Sequence, residues 1–161
     1  MAPTKVPVSA APCCAYNRQH PSYILPAPMS QTTLDDLAKL LLRLVLGILI
    51  LFHGWAKLRG GVGGIEAMLA MRGLPAFLAW GVYLGEVLAP IMLILGIFTR
   101  IGAALIVVNM LVALFLAHSG HFGDFTSSGG WRLELQGMFL AAGIAVLMQG
   151  AGRFALGGRW N

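Results

Sequence analysis

LLLRLVLGILILFHGWAKL, residues 40–58, carries two bases and one histidine in a run otherwise made of aliphatic, aromatic and small residues. A helix needs about 20 such residues to cross roughly 30 Å of hydrocarbon, so the run reads as a transmembrane helix. Just before it, Leu34-Asp-Asp-Leu-Ala-Lys39 can begin that helix, with Thr33 as N-cap and Asp35 and Asp36 in the first turn. The span is expected over residues 37–58.

Composition supports the same solvent. Of 161 residues, 58% are hydrophobic and 11% are charged, against about 25% charged in a soluble domain. Mean hydropathy is +0.79. Six acids and eleven bases cannot cover the surface of a water-soluble fold of this length, so lipid is the main partner. The net charge of +5 does not point to nucleic acid, because the bases lie singly at helix ends without interleaved aromatics. They read as topogenic charges that meet lipid headgroups. Cys13 and Cys14 are adjacent, which is neither a redox C-x-x-C nor a zinc spacing.

Working outward, residues 1–36 are rich in Pro, Ala and Ser, lack an insertable run and read as a disordered tail. Met29 opens a stretch that looks like a translation start, so residues 1–28 are expected to precede the natural initiator. Residues 59–74 are glycine-rich and include a short amphipathic piece, residues 65–72, suited to the interface. A second span is expected over 75–98 with Pro75 at its first position. Thr99 and Arg100 then form a tight turn into a third span, 101–117, the shortest. A polar loop, 118–130, leads to a fourth span, 131–150, and a basic tail.

The fold class is therefore an all-α membrane protein, a four-transmembrane-helix antiparallel bundle with its domain over 37–157. Rows of small residues, Gly81-Gly85-Ala89, Ala113-Ala117 and Gly137-Ala141-Ala145, offer packing surfaces and a route to a homo-oligomer. Lys39, Arg43, Arg100, Arg153 and Arg159 flank one side of the spans. Lys57, Arg59, Arg72 and Arg132 flank the other, offset by Glu66 and Asp124. The bias places both termini in the cytoplasm.

Function has to be read from polar residues inside the spans. Glu86 lies mid-span, where an ionised carboxylate costs several kcal/mol unless protonated or paired. Asn109 is expected at the same depth in the next span, and the tight turn between them lets the two meet. His53 and Lys57 lie one turn apart and share a face. Lys57 reads first as a cation that snorkels to the interface, with a pocket role as the alternative. His53 either donates to a backbone carbonyl or joins that pocket. His118, His121, Arg132 and Glu134 are expected near the same end, so that an outer pocket floored by Glu86 forms. His118 and His121 are weak metal ligands without a third fixed partner. Arg43 is expected to snorkel or to pair with lipid phosphate.

Several motifs occur in a characteristic order: Arg43-Leu-Val-Leu-Gly47, Phe52-His-Gly-Trp-Ala-Lys-Leu58, Gly85-Glu86, Leu95-Gly-Ile-Phe-Thr-Arg100, Leu133-Glu-Leu135 and Gly150-Ala-Gly-Arg-Phe-Ala-Leu156. Together they resemble the DoxX family of small four-helix membrane proteins over residues 37–157. The resemblance implies a link to redox systems, since the family is named for a relative of the membrane subunit of a thiosulfate:quinone oxidoreductase. Other members are described as partners of redox proteins.

The expectation is a bacterial inner-membrane subunit of a redox system, working beside a redox protein partner. Quinone would be its ligand, held by His53, Lys57, Glu86, Asn109 and Glu134, with Glu86 and His53 as a proton relay. The chain has no membrane-embedded cysteine and no nucleotide motif, so it would bind quinone without itself carrying electrons. The alternatives are a small proton-coupled permease and a non-catalytic membrane scaffold.

Overall fold

A computed structural model describes residues 30–117, 119–120, 122–127 and 129–157. The expectations for Cys13, Cys14, the start at Met29, His118, His121 and Arg159 lie outside these residues.

Five helices make up the described chain: α1 Gln31–Gly60, α2 Gly63–Met71, α3 Ala76–Leu95, α4 Thr99–Ala117 and α5 Glu134–Gln149. Helices α1, α3 and α4 are long and apolar enough to cross a membrane. Helix α5 is apolar but has 16 residues, which at 1.5 Å per residue gives about 24 Å. It, not α4, is the shortest of the four, because α4 begins two residues earlier than expected and α5 three residues later.

Helix α1 starts at Gln31, so residues 31–36 belong to it and not to a tail. Its cap is Ser30, not Thr33: Ser30 has extended backbone and its hydroxyl accepts from the Thr33 amide at 3.4 Å. Asp35 and Asp36 consequently fall past the first turn.

The end of α3 also differs from expectation. Gly96 is left-handed (φ 70°) and closes a Schellman turn, in which the Ile97 amide donates to the Met92 carbonyl at 3.0 Å. Phe98 has φ 48°. The turn is thus residues 96–98, while Thr99 and Arg100 already lie in α4.

Helices α1, α3, α4 and α5 form a ring in which α1 and α4 each pack against both α3 and α5. Close contacts give their directions. Gly47 of α1 lies against Pro90 and Ile94, whereas Gly54, farther along α1, lies against Glu86 and Val87. Gly85 of α3 meets Asn109 of α4, whereas Gly102 of α4 meets Ala89 and Leu93. Helix α3 therefore runs antiparallel to both α1 and α4.

The core holds Leu46, Ile50, Leu93, Ile106, Phe139 and Val146. Large apolar residues such as Phe52, Trp55, Phe115 and Met148 point outward, where only lipid could solvate them without cost. Small residues let the backbones approach. Gly85 and Ala89 do so on α3, but Gly81 has open space. On α5 the close approach is at Gly143, against Val107, while Ala141 of the expected row is exposed.

Arg43 neither snorkels nor faces lipid. It is 2% exposed, and its Nη1 and Nη2 donate to the carbonyls of Ala151 at 3.0 Å and Phe154 at 2.6 Å. The buried Asp36 accepts from the Arg153 amide at 3.2 Å. The Gly157 amide reaches the Gly96 carbonyl at 2.9 Å. The chain after α5 is thereby tied across the end of the bundle where α1 begins.

Candidate functional site

At the other end of α1, Lys57 turns inward and pairs with Glu86 Oε1. Glu86 is 4% exposed, and about a third of the Lys57 side chain is accessible. Snorkelling, the first reading of Lys57, is overruled because an acid buried within a span offers the ammonium a stronger partner than the interface does. The Asn109 amide donates to the same oxygen at 3.3 Å, so Glu86 and Asn109 meet as expected. Among the described residues, Glu86 Oε2 has no hydrogen-bond partner.

Local sequence shapes this position. Pro90 lacks an N–H for the Glu86 carbonyl four residues back, and Leu84–Leu88 form a π turn in which the Ala89 amide bonds to Leu84. Such single π turns are frequent at functional sites. Gly54 lies directly against the Glu86 carbonyl oxygen, so close that a Cβ would sit 2.1 Å from it. Gly85 likewise leaves room for Asn109, whose Cβ would be 2.5 Å from any side chain there.

His53 lies one turn before Lys57. Its Nδ1 is 2.9 Å from the Leu49 carbonyl, which can only accept, so the proton is on Nδ1. The ring meets Phe139 of α5 edge to face at 5.6 Å. Tyr83 is a member that sequence reading missed: its hydroxyl donates to the Lys57 carbonyl at 3.3 Å. Its position one turn before Glu86 was the available signal.

A partly enclosed cavity of about 640 Å³ opens here, with Ile50, His53, Lys57, Glu86, Asn109 and Phe139 on its wall; Tyr83 stands behind Lys57, off that wall. The remaining wall is mostly aliphatic, as in sites that hold amphipathic small molecules.

Glu134 does not join this wall. It is exposed at the start of α5 beside Gly130, and Gln136, two residues on, lines the cavity instead. The two positions are about 200° apart around a helix of 3.6 residues per turn, so they cannot share a face. Arg132 also stays outside and is exposed, 3.5 Å from Asp124. Among the described residues, no group of three or more His, Cys, Asp or Glu could hold a metal ion.

The family model DoxX matches residues 38–119, about half the chain, including His53, Lys57, Glu86 and Asn109 but not α5. A relative from Bacillus subtilis (strain 168), named "Putative oxidoreductase CatD", is 30% identical over 79 residues. That match covers 49% of this chain and 58% of the relative, less than two thirds of its length. No solved structure matches this chain.

Proposed function

The chain belongs to the DoxX family, and from that premise we propose that it serves a redox system of the bacterial inner membrane, its cavity receiving a quinone-type head group. In this reading α5 completes a fourth crossing, both termini lie in the cytoplasm, and a redox protein partner exchanges electrons with the ligand.

The observation that carries the proposal is the Lys57–Glu86 pair at the wall of an otherwise apolar cavity. Charges within a span are expensive and mark ligand or proton sites. A quinone has the same division, a polar ring on an apolar tail, and the cavity volume suits a molecule of that size. Lys57 and Asn109 stand where they can orient a head group, and the aliphatic wall excludes water from it. When bound, the quinone supplies the electron chemistry. Glu86, held by Lys57, supplies a carboxylate that can pass a proton. The relative's name as an oxidoreductase supports the same direction.

The test is solvent extraction and mass spectrometry of protein purified in mild detergent from its own membrane. Wild type is expected to retain quinone, and Glu86→Gln to retain at least tenfold less while keeping its helical content. Equal retention by the variant, or none by wild type, would overturn the proposal.

A further inference from the structure

We infer that the cavity is built for the reduced, hydroxyl-bearing form of its ligand, a hydroquinone, in preference to the quinone; this rests on the quinone reading above.

Two acceptors of the site, Glu86 Oε2 and His53 Nε2, have no donor among the described residues. Lys57 Nζ and the Asn109 amide both converge on Glu86 Oε1. The other carboxylate oxygen, Oε2, is buried and has no donor among the described residues. On the same wall, the only proton of a neutral His53 ring is given to the Leu49 carbonyl, which leaves Nε2 as an acceptor. A quinone carbonyl brings a third acceptor to these two and satisfies neither. A hydroquinone hydroxyl brings the missing donor, and hydrogen bonds to charged acceptors are the stronger kind.

Charge narrows the ligand class further. Lys57 neutralises Glu86 within the site, so a cationic ligand is not required and a neutral hydroxyl is sufficient. Oε2 meets it by a turn of the carboxylate about its terminal torsion, which is soft in glutamate. Lys57 has further protons and is partly accessible, so it can hold a quinone carbonyl too. The outcome is therefore a preference, set by the unmatched acceptors.

The experiment uses wild-type protein in lipid nanodiscs under anaerobic conditions. Three short-tailed probes sharing one ring are titrated calorimetrically: a benzoquinol, the corresponding benzoquinone and the quinol's dimethyl ether. The quinol is expected to bind at least about tenfold more tightly than either of the others, equivalent to about 1.4 kcal/mol. His53→Phe should shrink that preference several-fold while leaving the Lys57–Glu86 pair in place. Quinone or ether binding as tightly as the quinol overturns the inference and leaves the quinone reading standing. Binding of none of the three removes both.

Discussion

The backbone of Gly54 in α1 lies directly on the carbonyl oxygen of Glu86 in α3. That carbonyl is the one Pro90 leaves without its usual helical donor, so a tight helix–helix contact and the buried acid occupy the same residue. The contact fixes how deeply α1 and α3 interlock, and with it the reach of Lys57, one turn farther along α1, to the Glu86 carboxylate.

Gly54→Ala should consequently force the two helices apart. A Cβ 2.1 Å from a backbone oxygen cannot be absorbed by a side-chain rotation, and overpacking of this kind costs about 1–3 kcal/mol. Gly64→Ala, in open space on α2, is the control and should be neutral or slightly stabilising. Unfolding in mixed micelles by an ionic detergent measures both.

The Lys57–Glu86 pair predicts a non-additive cycle. Lys57→Met leaves a buried carboxylate uncompensated and should cost about 3 kcal/mol, the low end for a broken buried pair because Lys57 is partly accessible. Lys57→Met combined with Glu86→Leu should regain most of that loss, since no unpaired charge remains. Thermal unfolding of the four proteins gives the coupling. Additive losses would mean that the two side chains do not interact in the membrane.

Arg43→Leu should release the segment after α5. The guanidinium holds two carbonyls, of Ala151 and Phe154, and a lysine in its place cannot reach both with one compact ammonium. Hydrogen exchange over residues 151–157 should rise in Arg43→Leu and also in Arg43→Lys, with little change in α3 and α4.

Gly96→Ala tests the same end of the bundle independently. Position 96 is left-handed, and a Cβ there would lie 2.6 Å from Arg43 Nη1. The backbone term alone is about 1–2 kcal/mol, and displacement of Arg43 adds to it. A loss of stability accompanied by exposure of the C-terminal segment is the expected result, read by limited proteolysis.

Much of the site was legible because it depends on depth along a helix, which is a matter of counting residues. Glu86 and Asn109 lie on adjacent spans joined by three residues, so their meeting follows from connectivity. Other parts depend on rotation about a helix axis or on contacts between distant segments. Glu134 misses the cavity and Gln136 lines it because α5 presents that face to α1 and α4. Nothing in residues 131–136 alone says which face that is.

The apolar runs by themselves determined that this chain belongs in lipid and roughly where its helices lie, because span length and backbone satisfaction in hydrocarbon leave few choices. Tertiary structure decided where its cations go. Lys57 and Arg43 both lie near span ends, where sequence alone favours snorkelling. Each is drawn inward by a partner far along the chain: Lys57 by Glu86, and Arg43 by the carbonyls of Ala151 and Phe154. A buried group left unpaired costs more than the water that a cation gives up to meet it, and only the folded bundle brings those groups within reach.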